Sequence, residues 1–288
     1  MQTAHTIQSV GIIGSGTMGH GIAHACALAG LDVVLHDVDE GRLEHALGQI
    51  EKNLRKAVQI GKLQEDQVSP ALARIRASTQ FSDVATAKDL VVEAVPEILE
   101  LKQQLFRQLD AAAPAHTILA SNTSSLPISE IASVVNNPAR VLGLHFFNPV
   151  HINKLLEIVV HDGTSAECLA ASKQFGETIG KTCITVKDSP GFASSRLGLC
   201  LGMEAIRMVQ DGVASAEDID TAMTLGYRHP MGPLKLTDLV GLDVRMHIGA
   251  HLAQALNNPA FEPPELMKQM VSEGKLGKKS GEGFYKWP

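Results

Sequence analysis

The sequence predicts an α/β protein in which a doubly wound, mostly parallel sheet is followed by a smaller all-α domain. Three observations lead to this fold class. Short apolar runs alternate with helical stretches through residues 1–187, which is typical of a parallel sheet with helices on both faces. A glycine-rich turn follows the first apolar run and opens a helical stretch. After residue 187 the strand-like runs disappear, and apolar residues recur at helical spacing.

The first elements form a βαβ unit. Residues 10–13 are predicted as a short apolar strand, residues 20–29 as a helix of small apolar residues, and residues 32–37 as a second strand. Residues 41–60 are predicted as a long polar helix. We expect this helix to form an antiparallel hairpin with a second helix near residues 65–74, because both stretches carry many charges and leave one apolar stripe.

The rest of the sheet is predicted from five further apolar runs, with helical stretches such as residues 97–109 between several of them. The runs are residues 90–95, 117–120, 141–144, 155–160 and 183–186. We place the domain boundary near Lys187, just before a Pro-Gly pair. The predicted domains are therefore residues 1–187, with the helical hairpin inserted near residues 41–75, and residues 188–288.

Helices account for the second domain. Residues 196–209, 217–225 and 236–256 have the spacing of helices. The first of these stretches is apolar on more than one face, which indicates burial between other helices or at a subunit interface.

The composition excludes several classes of protein. A formal charge of −6 provides no basic field for nucleic acid, and aromatic residues, at 4%, are too few for base stacking. No apolar run approaches the ~18–20 residues of a membrane span, and no secretory signal pattern is present at the N-terminus. The cysteines, expected to be buried residues of a reducing compartment, lack metal-ligand spacing: Cys26, Cys168, Cys183 and Cys200. We therefore expect a cytoplasmic protein that binds no metal, nucleic acid or membrane.

The glycine-rich turn has the pattern Gly14-x-Gly16-x-x-Gly19, with Thr17 and Met18 between the last two glycines. It follows a predicted strand and opens a helix, which is the context of a Rossmann-type dinucleotide site. Gly14 allows the tight turn, Gly16 lets the backbone approach a pyrophosphate, and Gly19 lets helix and strand pack closely. The helix N-terminus would face the phosphates.

An acidic residue, Asp37, ends the second predicted strand. A carboxylate there can accept hydrogen bonds from ribose hydroxyls and repel a 2′-phosphate, so the sequence predicts NAD rather than NADP. Arg42 is the nearest residue that could favour the phosphate. The alternative for the motif is a plain tight turn with a surface aspartate.

The segment from His145 to Pro149 holds the predicted chemical site. His145 lies at the end of an apolar strand, and Glu157 lies inside another, where an inward-facing carboxylate needs a partner. A neutral imidazole can take an alcohol proton, and a carboxylate on its other nitrogen would stabilise the imidazolium. Asn148 could bind substrate or nicotinamide, and residues 121–125 place hydroxyls on the same edge. From the pattern alone, a packed core histidine with an outward-facing glutamate explains the two residues equally well.

Seven segments together resemble the L-3-hydroxyacyl-CoA dehydrogenase family, most closely its bacterial 3-hydroxybutyryl-CoA branch. They are residues 14–19, 120–125 (ASNTSS), 145–149 (HFFNP), 188–192 (DSPGF), 229–233 (HPMGP), 238–243 (DLVGLD) and 281–285 (GEGFY). The resemblance covers nearly the whole chain in order. It implies reversible, NAD-dependent oxidation of an (S)-3-hydroxyacyl-CoA to a 3-oxoacyl-CoA.

The resemblance also assigns roles to residues of this chain. It implies that His145 is the catalytic base paired with Glu157, and that Ser124 hydrogen-bonds the reacting oxygen. Positions that it associates with the dinucleotide, beside Asp37, are Glu97, Lys102, Asn148 and Lys279. The hairpin would cover coenzyme A, with Asn53 and Lys56 as candidate contacts; surface lysines are otherwise usually solvated. The C-terminal helices would form a homodimer interface and close over the active site.

One position departs from the family pattern. Ser195 precedes Arg196-Leu197, where the family usually has an asparagine that touches substrate. A serine hydroxyl is shorter and lacks the second amide group, so its substrate contact could be direct, water-mediated or absent.

Three other hypotheses use much of the same pattern. L-gulonate 3-dehydrogenase and carnitine 3-dehydrogenase act on free hydroxy acids and need no coenzyme A handle. A non-catalytic NAD-binding protein is the third, and the paired His145 and Glu157 argue against it because binding NAD alone requires neither.

Overall fold

The computed structural model describes residues 6–86 and 88–288, which divide into two compact units, one ending at Asp188 and one beginning at Ser189. The first unit holds a single eight-stranded sheet, and the second is helical. The predicted fold class is confirmed.

The sheet of the first unit has the strand order β3-β2-β1-β4-β5-β6-β7-β8. Its strands are β1 (Ser9–Ile13), β2 (Asp32–His36), β3 (Ile75–Ser78), β4 (Leu90–Glu93), β5 (Ile118–Ser121), β6 (Val141–Phe146), β7 (Leu155–Val160) and β8 (Thr182–Lys187). Strands β1 to β6 pair in parallel, so their carboxyl ends meet along one edge, where open α/β sheets bind ligands. Strand β3, which was not predicted, is a partly exposed edge strand with no long apolar run.

Helices connect the strands of the first unit. They are α1 (Thr17–Leu28), α2 (Glu40–Gln59), α3 (Val68–Ala73), α4 (Phe81–Ala85), α5 (Leu99–Ala112), α6 (Ile128–Ala132) and α7 (Ala166–Thr178). The predicted long helix is α2, which the side chain of Asp39 caps by accepting a hydrogen bond from the Arg42 amide. The predicted second arm of the hairpin is shorter than expected, because residues 65–67 form a 3₁₀ turn and α3 has only six residues.

Strand β7 runs antiparallel to β6, a reversal that the alternation of runs did not predict. The antiparallel register places His145 directly opposite Glu157. Directly opposed residues on one face of a sheet have Cβ atoms about 4.5–5.5 Å apart, so these two side chains meet.

The second unit consists of five helices, two single 3₁₀ turns and a π-helical turn, with only isolated bridges among its described residues. The helices are α8 (Ser194–Gln210), α9 (Ala216–Thr221), α10 (Pro233–Val240), α11 (Leu242–Leu256) and α12 (Glu265–Ser272). The helix expected over residues 236–256 is interrupted at Gly241, whose φ of 104° is incompatible with a continuous helix.

Asp238 fastens the C-terminal tail to α10. Its carboxylate accepts hydrogen bonds from the amides of Phe284 and Tyr285 and from the indole of Trp287, all at 2.9 Å. This explains two of the sequence segments, 238–243 and 281–285, as parts of one structural contact.

Two surface properties bear on the predictions. Cys26 and Cys168 are buried, but the expectation of burial is wrong for Cys200, which lies on an exposed face of α8, and Cys183 is only partly buried. Within residues 6–86 and 88–288, no helix combines the length and apolarity needed to cross a membrane.

Candidate active site

The glycine-rich loop lies between β1 and α1. Gly14 has a φ of 97°, and its amide donates to the carbonyl of His36 at 2.8 Å, which ties the loop to β2. A Cβ at Gly19 would collide with the carbonyl oxygen of Gly14. The loop therefore requires glycine at both positions for reasons of backbone geometry.

Asp37 follows β2 beside this loop. Its Oδ2 accepts hydrogen bonds from the amide of Ser15 at 2.9 Å and from the Ser15 hydroxyl at 2.8 Å. Burial favours the neutral acid, but these donors, the amide of Asp39 and nearby Arg42 hold the pKa of Asp37 below its usual value. Ser15 is a site residue that the sequence reasoning missed, since its position in the motif is otherwise unrestricted.

A cleft of about 480 Å³ opens between the glycine loop and α5. Its walls are mainly apolar, with Asp37 and Arg42 among its lining residues; the others include Gly14, Gly16, Thr17, Met18, Val95, Pro96, Leu101 and Leu105. Apolar walls suit a planar base, and a carboxylate suits a ribose diol. The cleft therefore fits the adenosine part of a dinucleotide.

His145 and Glu157 form a buried pair. The imidazole Nδ1 lies 2.6 Å from Glu157 Oε2, and the glutamate side chain is fully buried. A carboxylate at Nδ1 favours the tautomer with its proton there, which makes Nε2 the nitrogen that can take a proton from a substrate. The ring of Phe147 lies 4.4 Å from the imidazole, centroid to centroid, and borders it on one side.

The carboxylate of Glu97 binds the loop that follows β5 through several hydrogen bonds. Its Oε1 accepts hydrogen bonds from the Thr123 hydroxyl at 2.5 Å, the Ser124 amide at 2.9 Å and the Ser125 amide at 3.2 Å. The Ser124 hydroxyl also lies 3.4 Å from the same oxygen. Ser124, predicted to bind the reacting oxygen, is therefore held by a carboxylate predicted to contact the dinucleotide.

Lys102 lies on α5 and is fully buried. Its ammonium donates to Glu93 Oε1 at 2.6 Å and to the Val95 carbonyl at 3.3 Å, and it lies 3.3 Å from Glu97 Oε2. The predicted contact of Lys102 with the dinucleotide stays a prediction. Glu93, at the end of β4, was missed, although a lone acid inside the apolar run 90–95 is a signal for a buried partner.

Asn148 lies in the exposed loop between β6 and β7. Asn153 Nδ2 donates to the Asn148 carbonyl at 2.7 Å, and the buried Lys181 ammonium donates to the carbonyls of Val150 and, at 2.6 Å, Asn153. These contacts leave the Asn148 side chain at the surface while fixing the backbone that follows His145.

The predicted coenzyme A contacts lie on α2. Lys56 is exposed and Asn53 partly exposed. Lys56 borders a groove along the helix together with Lys52 and Arg55, and Arg55 is paired with Glu51 at 2.7 Å. This face of α2 is basic, although Glu51 neutralises the charge of Arg55.

Two predicted residues belong to the second unit. Ser195 is partly exposed in the first turn of α8. Lys279 lies in the 3₁₀ turn Lys278–Ser280, where its ammonium is 2.6 Å from Asp243. Their predicted roles toward substrate and dinucleotide stay predictions.

Comparisons with known proteins cover both units. The family model described as 3-hydroxyacyl-CoA dehydrogenase, NAD binding domain, matches residues 9–189, and the corresponding C-terminal domain model matches residues 191–287. A mitochondrial hydroxyacyl-coenzyme A dehydrogenase of Sus scrofa is 44% identical over 288 aligned residues, which cover 98% of this chain and 91% of that protein. A 3-hydroxybutyryl-CoA dehydrogenase of Mycobacterium tuberculosis is 41% identical over 281 residues, covering 97% of this chain and 98% of that protein. Among solved structures, an (S)-3-hydroxybutyryl-CoA dehydrogenase of Ralstonia eutropha has a TM-score of 0.94 and 40% identity, covering 98% of this chain and all of that one.

Proposed function

The chain belongs to the 3-hydroxyacyl-CoA dehydrogenase family, and from this premise we propose that it oxidises (S)-3-hydroxyacyl-CoA thioesters reversibly to 3-oxoacyl-CoA with NAD. The single observation that carries the proposal is the buried His145–Glu157 pair, at the same sheet edge as the dinucleotide cleft. The names of the bacterial relatives support a short acyl chain, with 3-hydroxybutyryl-CoA as the substrate.

The pair supplies the proton transfer. Nε2 of His145 takes the proton of the C3 hydroxyl as a hydride leaves C3, and in the reverse direction the imidazolium returns that proton to the developing alkoxide. Glu157 stabilises the imidazolium through Nδ1. The Ser124 hydroxyl donates to the C3 oxygen as its charge changes. NAD, when bound, supplies the hydride acceptor.

The residues around the cleft fit NAD. The α1 N-terminus and the glycine loop would hold the pyrophosphate, and Asp37 would bind the adenosine ribose. The carboxylate of Asp37 is kept ionised by Ser15, so it would repel a 2′-phosphate. We further propose that Glu97, Lys102, Asn148 and Lys279 line the remainder of the dinucleotide site.

Two helices carry the proposed contacts to the acyl-CoA thioester. Asn53 and the exposed Lys56 on α2 are proposed to contact coenzyme A, since a cation on an exposed helix suits a phosphate. Ser195 on α8 is proposed to contact the acyl part. A serine hydroxyl there offers one short hydrogen bond in place of two longer amide contacts.

We also propose that the protein is a cytoplasmic homodimer joined through its C-terminal helices. The second unit exposes apolar side chains on α8, α10 and α11: Leu197, Leu236, Leu239, Val240 and Val244. Exposed apolar side chains that recur on neighbouring helices suit a protein interface. The free cysteines suit a reducing compartment.

The proposal is tested by following NADH absorbance with acetoacetyl-CoA, the matching free acid and free coenzyme A as competitor. We expect rapid oxidation of NADH with acetoacetyl-CoA, little with acetoacetate, and competitive inhibition by coenzyme A. Activity on the free acid without inhibition by coenzyme A would instead support a hydroxy-acid dehydrogenase. No NADH oxidation with either substrate would contradict the proposal.

A further inference from the structure

A buried ion pair is linked through Glu97 to the loop that carries Ser124. Glu93 is fully buried at the end of β4, and Lys102 on α5 is 1% exposed; their Oε1 and Nζ atoms are 2.6 Å apart. Lys102 is proposed above to line the dinucleotide site, but Glu93 has no role in the proposed reaction so far.

Glu93 uses both carboxylate oxygens. Oε1 also accepts the Val95 amide at 2.7 Å, and Oε2 accepts the Ser121 hydroxyl at 2.6 Å. Its backbone carbonyl accepts the Asn122 amide at 2.8 Å. Glu93 therefore joins the carboxyl end of β4 to the end of β5, at the start of the serine-rich loop.

Lys102 connects Glu93 to Glu97. Its ammonium lies between the two carboxylates, and the other oxygen of Glu97 accepts the donors of residues 123–125. Burial opposes the ionisation of Glu97, but Lys102 and the loop donors hold the pKa of Glu97 below its usual value. An ionised carboxylate has acceptors only, so it can collect several loop donors at once.

We propose that Glu93 is a positioning residue of the reaction, which holds Lys102 so that Glu97 keeps the Ser124 loop in its catalytic conformation. The inference deepens the function proposed above and rests on it. Burying two charges costs desolvation that an apolar pair of similar volume would avoid, so their placement here calls for a reason beyond stability. The contact of Lys102 with Glu97 provides one.

The test compares two double variants. Glu93→Gln/Lys102→Met removes both charges, so that neither member of the pair is left as an unpaired buried charge. Glu97, whose side chain is 36% exposed, loses its cation but keeps the donors of the loop. The matched control, Asp110→Asn/Arg140→Met, removes another buried pair of the same unit, whose atoms are 2.8 Å apart. Hydrogen exchange of the segment 122–127 in the unliganded protein is measured with kcat, KM and the pH profile for acetoacetyl-CoA reduction.

We expect the first double variant to fold and to exchange the amides of residues 122–127 faster than the wild type. Its kcat should fall roughly 10–100-fold with little change in the KM for acetoacetyl-CoA, because the reacting groups are held less precisely. The acid limb of its pH–rate profile should move to higher pH, because the pKa of Glu97 rises when Lys102 no longer stabilises its carboxylate. The control should match the wild type in all four measurements. Glu93→Gln alone, which keeps a hydrogen-bond acceptor for Ser121, should show a smaller loss.

Wild-type exchange and kcat in the folded double variant would overturn the positioning role, as would an equal loss in the control. If the double variant does not fold, hydrogen exchange and kcat are measured on Glu93→Gln instead. Wild-type values of both in that variant would overturn the proposal. Failure of the proposed function is distinguished separately, because wild-type protein would then not reduce acetoacetyl-CoA, whereas the exchange measurement needs no substrate.

Discussion

The substitution Glu157→Gln perturbs the proton-transfer pair most selectively. It removes the charge opposite His145 while keeping the shape of a fully buried side chain. The imidazolium forms only as the proton is taken, so its stabilisation by Glu157 is realised in the transition state rather than in the resting enzyme. The change should therefore lower kcat without weakening NADH binding.

The size of the effect follows from the geometry. With Nδ1 and Oε2 2.6 Å apart, the centres of the two delocalised charges are about 4 Å apart, which corresponds to about 4 kcal/mol at an effective dielectric constant of about 20. At about 1.4 kcal/mol for each factor of ten, this amounts to roughly a thousandfold in rate. The value lies within the range of about 10²–10⁴ typical of general acid–base catalysis.

The assay is steady-state oxidation of (S)-3-hydroxybutyryl-CoA with NAD, the direction in which His145 takes the proton, with NADH binding measured separately by fluorescence. Asp162→Asn, an exposed carboxylate just beyond β7, is the matched control and should keep wild-type turnover. If folded Glu157→Gln retained kcat within about threefold of the wild type, the electrostatic stabilisation of the imidazolium by about 4 kcal/mol would be refuted.

Three further predictions follow from the structure. Asp37→Ala should raise the KM for NADH and reduce the discrimination against NADPH, measured with both cofactors; unchanged cofactor kinetics would argue against the ribose contact. Ser195→Asn, which restores the usual family residue, should change the KM across a series of acyl chain lengths more than kcat, and equal profiles would show that this position does not touch substrate. Burial, helped by the nearby charges of His151, His20 and Lys181, lowers the pKa of His24 to about 4, below the unfolded value of 6.5. The stability contributed by neutral His24 is therefore complete above pH 6.5 and is lost as the pH falls toward 4, by up to about 1.4 kcal/mol per pH unit. Urea unfolding of His24→Asn should accordingly show a shallower pH dependence than that of the wild type.

Local signals predicted much of the first unit. The glycine motif, the strand before it and Asp37 lie within thirty residues of each other in the sequence, and turn geometry dictates their relation. The apolar runs likewise predicted seven strands, most of which are buried and therefore continuous in hydrophobicity. The edge strand β8 is mostly exposed but was still predicted, because residues 183–186 form an apolar run rich in β-branched residues. Strand β3 was not predicted because this partly exposed edge strand, with the sequence IRAS, contains no apolar run.

Long-range pairing could not be derived from the sequence pattern. His145 and Glu157 are compatible with two unrelated core positions until the antiparallel register of β6 and β7 brings them face to face. Similarly, the lone acid Glu93 needed a partner, but nothing local selects Lys102, which reaches it from the following helix. Cys200 was wrongly expected to be buried, because the apolar segment 196–209 has an exposed face in α8.

The most direct test of the proposed catalytic role is the turnover of purified His145→Ala with acetoacetyl-CoA and NADH, together with its NADH dissociation constant. The proposal predicts a fall in kcat of about 10²–10⁴-fold while NADH binding stays near the wild-type value, because the imidazole transfers the proton and the cleft at Asp37 binds the cofactor. Turnover near the wild-type rate in the folded variant would contradict the assignment of His145 as the general base.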